Sequence, residues 1–420
     1  MKGNLLQVNP QKCLQDEPVC IIIANLPPGS DITLASHFHD KVTSKTFFTY
    51  AHFRANHIGK IDLSTDGSMG GAYSGVFQMA PVACLKPGPE ASKYLRYINR
   101  DVSVPMKIRL TVLKGHLNEM DAYKADNDLT LDSAIHERIF LTENTKRIPV
   151  REGRIRGTLF IPEGEGPFPG VLDLFGGIGG LIEFRAAQFA ARGFVSLALA
   201  YFDYEDLPKD ITEFDMDYFE EAIKFLTKQE KVQKPHVAVV GVSKGGDLAL
   251  SIGTLIPEVK AVVCINGLSV NVLKPLKTKT KTIPPLPFDL TKIKFVKADL
   301  VSTFDVAADP STHPECQIPI EEADAHFLLL CSKDDKTVNI EKEHDRILSI
   351  LERRGKDNCE LIKYEGSGHL LEPPYAPFAQ ATFHPIFKIN RLWGGNALQH
   401  TQASEDSWKR IQEFIRKYIN

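Results

Sequence analysis

Three side chains far apart in the chain, Ser243, Asp335 and His369, are of the types that together make a nucleophile. A serine hydroxyl attacks poorly until a base takes its proton, and an imidazole serves as that base when a carboxylate fixes its tautomer. Ser243 sits in Gly241-Val242-Ser243-Lys244-Gly245, a G-x-S-x-G pentapeptide. Chance matches to this pattern are common, so its setting matters. A buried apolar run, His236–Val240, precedes it and an apolar helical segment, Asp247–Ile252, follows. That is the strand–turn–helix arrangement in which a serine is lifted above a sheet edge. Glycines flank it because so tight a turn leaves no room for a Cβ. The following helix points its N-terminus at the site, where negative charge would develop.

The base and its orienter are expected downstream, in the order Ser, Asp, His. Asp335 lies just after the apolar run Ala325–Cys331, with Asp334 beside it as a rival. His369 lies in Gly366-Ser367-Gly368-His369, after the run Glu360–Tyr364. Both are loops behind strand ends, where open α/β sheets place their chemistry. His344 is the nearest competing histidine, but it falls in the amphipathic pattern Glu341–Leu351 and is read as solvated. His384 and His400 are weaker rivals. A developing oxyanion needs two backbone donors. One is expected at the amide of Lys244, the other at Leu174 or Phe175, ahead of the glycines Gly176–Gly180. The Lys244 side chain is read as a solvated charge.

The elements that must position these groups follow from periodicity. Residues 1–145 read as an all-β sandwich of short strands, such as Val19–Ile23, Phe47–Phe53 and the strictly alternating Met106–Leu113. Long helical patterns are absent there. His37 and His39 could share a strand face, but a third ligand is missing, so no metal site is expected. From about residue 146 to 420 strands alternate with helices, predicting a mostly parallel, doubly wound sheet covered on both faces. The rhythm breaks between Gly267 and about Ala323, a Lys- and Pro-rich stretch that could form a lid.

Bulk properties narrow the partners. The 420 residues carry 50 Lys and Arg against 53 Asp and Glu, a formal net charge of −3. That gives no overall case for nucleic acid or an anionic membrane and leaves room only for local basic patches. No apolar run is long enough to span a bilayer. Gly176–Gly180 has neither the Gly-Lys-Ser/Thr of a phosphate loop nor dinucleotide spacing, so no cofactor is expected. The seven cysteines are scattered, without a C-x-x-C pair, as in a reducing compartment. The first residues lack a signal-peptide core and the chain does not end on a peroxisomal tripeptide, so the expected location is cytoplasmic.

Several stretches taken together resemble the type I acyl-CoA thioesterases and the related bile acid-CoA:amino acid N-acyltransferases. They are Asp173–Ala186, Ala198–Pro208, Gly241–Asp247, Gly368–Tyr375 and Trp393–Gly395 followed by Trp408, with Asp16–Val19 and Tyr50–Asn56 in the front portion. The resemblance spans nearly the whole chain. It implies an N-terminal immunoglobulin-like sandwich before an α/β-hydrolase domain, and an acyl-CoA substrate. Carried over, the triad falls on Ser243, Asp335 and His369. The family's aspartate is the second of a pair, which favours Asp335 over Asp334. The conjugating branch is similar but places cysteine at the nucleophile, where this chain has Ser243. Hydrolysis to free fatty acid and CoA is therefore expected, with transfer to glycine or taurine as the alternative. That alternative is kept open by Asp173–Gly177 and Asp335–Asn339, which look at least as close to the conjugating enzymes.

Overall fold

The structure is a computed structural model that describes residues 5–125 and 128–419. Met1–Asn4 and Asn420, on which the targeting expectation partly rests, lie outside them. The chain divides into two compact units. One comprises Met1–Ile98, Val102–Phe140 and Pro373–Phe383, the other Asn99–Asp101, Leu141–Glu372 and His384–Asn420.

The first unit is built from strands. A three-stranded antiparallel sheet joins Leu6–Asn9, Cys20–Ile23 and Ile61–Asp62. A larger sheet centres on Asp31–Asp40, Lys45–Arg54, Met106–Lys114 and Thr130–Ile139. Met106, Ile108, Leu110 and Val112 are buried while Lys107 and Arg109 face water, the alternation of a half-buried strand. Two short helices, Ala80–Ala83 and Glu119–Lys124, interrupt the strands. His37 and His39 go to separate partners. His37 Nε2 lies 3.1 Å from the Tyr123 carbonyl, and His39 Nδ1 lies 3.4 Å from Thr46 Oγ1.

The second unit is organised by one eight-stranded sheet: β1 (Lys146–Val150), β2 (Arg156–Ile161), β3 (Gly170–Leu174), β4 (Val195–Ala200), β5 (Val237–Val242), β6 (Val259–Ile265), β7 (His326–Ser332) and β8 (Cys359–Tyr364). Their spatial order is β1-β2-β4-β3-β5-β6-β7-β8. The sheet is parallel from β4 to β8, while β1 and β2 run antiparallel at one edge. This is the topology of an α/β-hydrolase. Every residue of β3, β4 and β5 is buried, which explains their continuous apolar runs: strands covered on both faces have no polar side. Helices α1 (Phe184–Ala191), α2 (Met216–Lys228), α3 (Lys244–Leu255), α4 (Ile340–Arg353) and α5 (Ala397–Tyr418) provide that cover. Among the described residues no helix is long and apolar enough to cross a membrane.

Two expectations fail here. His344 is not solvated. Ile340, Glu343, His344, Ile347 and Leu351 are the buried residues of α4, so the helical period puts this histidine on the core side. Its Nε2 lies 3.1 Å from the Gly267 carbonyl. Nor is Lys244 a solvated charge. Its ammonium is buried, 2.6 Å from Asp247 Oδ2, and donates to Asn271 Oδ1 at 3.0 Å and the Val272 carbonyl at 2.9 Å.

Candidate active site

The strand β5 delivers Ser243 directly. The chain leaves Val242 and turns into α3 through Ser243 at φ 55°, ψ −123°, a conformation costly for a residue with a Cβ. The turn closes only because its neighbours are glycines. A Cβ on Gly241 would sit 1.8 Å from the Gly245 carbonyl oxygen, and one on Gly245 would sit 2.5 Å from the carbonyls of Leu174 and Phe175. Backbone bonds pin the strained residue: the Ser243 N–H donates to Ile265 at 2.8 Å, and its carbonyl accepts from Gly246 at 2.7 Å. Ser243 is half-buried, so its hydroxyl stays reachable.

The three residues singled out by type and order meet in one place. His369 Nε2 lies 2.9 Å from Ser243 Oγ. Its Nδ1 lies 2.5 Å from Asp335 Oδ2. The pair His369–Asp335 is buried. Asp334 points elsewhere, accepting the Gly395 N–H at 2.9 Å and pairing with Lys336 at 2.5 Å. His384 and His400 are also buried. His400 serves the loop instead: its Nδ1 accepts the Gly368 N–H at 3.1 Å, one residue before His369.

Four positioning residues escaped the sequence reading. Thr337 Oγ1 donates to Asp335 Oδ1 at 2.7 Å and lies 3.0 Å from His369 Nδ1. Asn266, at the end of β6, donates to the His369 carbonyl at 2.8 Å and to Ser332 Oγ at 3.0 Å, tying the histidine loop to β7. The Trp393 carbonyl accepts the His369 N–H at 3.0 Å, and its indole stacks on the imidazole with centroids 5.5 Å apart. His400 completes the set. Trp393 lies in a stretch that carries the family resemblance, and His400 is one of the rival histidines. Thr337, two residues past Asp335, carries a local signal, because a threonine there can cap the carboxylate.

The loop after β3 approaches the serine from the other side. Leu174 closes β3 in register with Gly241 of β5, and Phe175 follows. Gly176 is where the loop comes nearest: a Cβ there would lie 3.3 Å from Ser243 Cβ and 3.9 Å from Oγ. Two anchors, Arg185 buried and Tyr201 half-buried, set this loop. Arg185 pairs with Asp173 at 2.5 Å and donates to the Leu174 carbonyl at 2.8 Å. Tyr201 Oη lies 2.8 and 2.7 Å from the carbonyls of Phe175 and Gly176. Burial pushes the Asp173 carboxyl up and the guanidinium pulls it back. The Lys-rich stretch after Gly267 begins against the same place, since Leu273 packs 3.5 Å from a Cβ position on Gly177.

Two family models match the chain. Residues 16–152 match the acyl-CoA thioester hydrolase/BAAT N-terminal region, and residues 214–420 match the BAAT/acyl-CoA thioester hydrolase C terminal. Acyl-coenzyme A thioesterase 1 of Mus musculus is 37% identical, covering 96% of this chain and 94% of its own. Bile acid-CoA:amino acid N-acyltransferase of Mus musculus is 39% identical over 98% of this chain and 96% of its own. A solved dienelactone hydrolase from Anabaena variabilis is similar over 67% of this chain and 100% of that one, at 15% identity and a TM-score of 0.38. With both halves matched and relatives above one-third identity along nearly all of its length, the chain belongs to the acyl-CoA thioester hydrolase/BAAT family.

Proposed function

We propose that this protein is an acyl-CoA thioesterase that works through Ser243, His369 and Asp335. The observation that carries the reading is the unbroken hydrogen-bonded line from Ser243 Oγ through His369 to Asp335. In this reading His369 Nε2 takes the Ser243 proton as Oγ attacks the thioester carbon. The oxyanion is held by the Lys244 N–H and by a donor from the loop at Leu174 and Phe175, which runs on to Gly176. The first N–H groups of a helix lack intrahelical acceptors, and α3 begins at Lys244. Collapse breaks the carbon–sulfur bond, and the CoA thiolate leaves with the proton from His369. A water, deprotonated by His369, then attacks the acyl-serine ester; the carbon–Oγ bond breaks, His369 returns the proton to Ser243 Oγ, and the fatty acid is released. Asp335 keeps Nδ1 protonated and steadies the imidazolium.

A second reading shares the first half-reaction and replaces water by the amine of glycine or taurine. It is favoured by the similarity to the N-acyltransferase, which is no lower than that to the thioesterase. Against it stands the nucleophile, since an oxyester on serine is less reactive toward an amine than a thioester on cysteine. Mass spectrometry of the products from a panel of acyl-CoA substrates, with and without glycine or taurine, separates the two. Free acid as the main product in both arms is the expected result, and a conjugate as the main product sinks the hydrolase reading.

We also read the first 145 residues as an immunoglobulin-like sandwich domain and 146–420 as the catalytic domain. The antiparallel pairing of the long strands and the alternating burial along them support the sandwich reading.

A further inference from the structure

The stretch that breaks the α/β rhythm carries an unusual surface. Between Lys274 and Lys297 there are seven lysines and a single acidic residue, Asp289. Within it Phe288, Leu290, Phe295 and Val296 are exposed, Leu290 to 68% and Phe295 to 75%. Lys294–Lys297 is an edge strand whose four residues all face solvent. It pairs with Leu300–Ser302, which runs parallel to Ile389–Leu392. Because those last two strands start at the same end, their leading turns lie together, and Asn390 Nδ2 donates to the Asp299 carbonyl at 2.8 Å. The second turn brings Ile386 and Phe387, both exposed, together with Lys388.

Lysines on an edge strand alone are the ordinary protection against strand pairing. They do not explain why aromatic and branched side chains stand in water between them. Isolated exposed apolar residues are normal, but a segment, Phe288–Lys297, that exposes four of them among Lys292, Lys294 and Lys297, with Ile386, Phe387 and Lys388 on the turn beside the far end of its hairpin, is not. Aromatic and aliphatic side chains interleaved with ammonium groups suit one environment in particular: a lipid surface, where the apolar groups enter the acyl boundary and the lysines meet anionic headgroups. Lys294 and Lys292 have carboxylate neighbours, Asp305 and Asp289, so part of the charge is already balanced and the attraction is graded rather than irreversible.

We propose that the surface formed by Phe288–Lys297 and Ile386–Lys388 docks this protein reversibly on anionic lipid bilayers. This does not depend on the reading of the active site. The docking surface continues along Ile389–Leu392 into Trp393, whose carbonyl and indole hold His369, so docking would set one side of the candidate site toward the membrane.

The test is flotation of the full chain with vesicles of phosphatidylcholine alone and of phosphatidylcholine with phosphatidylserine. Binding is expected on the anionic vesicles at about 0.1 M salt. It should weaken at least tenfold on neutral vesicles, and likewise near 1 M salt, where the screening length falls from about 10 to about 3 Å. Phe295→Ser with Phe387→Ser should cost about tenfold or more on anionic vesicles, and Lys294→Glu with Lys297→Glu a similar amount. All of these positions are exposed, so melting temperature and turnover of a short-chain soluble acyl-CoA should stay at the wild-type level. No binding to anionic vesicles, or binding that the four substitutions leave unchanged, overturns the proposal. So does a salt-insensitive dimer in sedimentation that Phe295→Ser dissolves, which would give the face to a second copy of the chain.

Discussion

Thr337 contacts Asp335 twice, through its hydroxyl at 2.7 Å and its backbone N–H at 2.7 Å, both on Oδ1. That leaves Oδ2 as the oxygen facing His369. The carboxylate is thus divided, one oxygen for support and one for the imidazole.

Thr337→Val keeps the side-chain shape and the N–H bond but removes the hydroxyl. A hydrogen bond to a charged group contributes about 1.5–3 kcal/mol. Turnover of acyl-CoA should therefore fall about tenfold or more with KM little changed, and Thr337→Ser should recover most of it. Steady-state kinetics of the three forms decide the matter. Wild-type turnover in the valine variant would mean that the backbone N–H suffices.

Asp334 and Asp335 are neighbours with opposite tasks, and asparagine at each should separate them. Asp335→Asn disturbs the tautomer of His369 and should lower kcat by about four orders of magnitude, the scale known for triads of this kind. Asp334→Asn touches only the bonds to Gly395 and Lys336 and should cost less than about tenfold. Ser243→Ala should abolish labelling by a fluorophosphonate probe while the circular dichroism spectrum is kept.

Lys244 bears on stability rather than on substrate charge. Burial pushes its ammonium down and the Asp247 carboxyl up, and each partner pulls the other back. Lys244→Met would leave Asp247 buried without its partner, at a cost of about 3–5 kcal/mol. Denaturant midpoints should show that loss, and adding Asp247→Leu should restore much of it. A variant whose stability is intact and whose KM for acyl-CoA is raised would instead mean that the ammonium binds the substrate.

Acid should unfold the second unit through its buried histidines. Burial pushes His344 and His384 down to about 4, from an ordinary value near 6.5. The unfolded chain then binds protons more readily than the native one between these values. Stability is fully present above about pH 6.5 and is lost as pH falls toward 4. Urea midpoints should drop across that window. His344→Gln, which can still donate to the Gly267 carbonyl, should flatten the drop. An equal slope in wild type and variant would remove His344 from the account.

Much of this was legible in the chain. The strand–turn–helix around Ser243 could be read because a buried parallel strand must be apolar throughout and its exit turn must be glycine-flanked. The order of Asp335 and His369 followed from the topology. What could not be read was side-chain direction. His344 belongs with Ile340 and Ile347 on the core stripe, yet its polarity suggested water. Lys244 looked like any charged helix residue with a nearby carboxylate, Asp247, because its other partner Asn271 lies 27 positions away and only the fold brings them together over it.

The burial of Lys244 has a kinetic side. Its peptide N–H, the proposed oxyanion donor, belongs to a residue held at both ends: by the strained turn at Ser243 and by three polar contacts at its ammonium. A donor fixed in this way need not rotate into place when the carbonyl oxygen gains charge. The reorganisation that water would undergo around a new anion has been completed during folding, so little of it remains in the activation barrier.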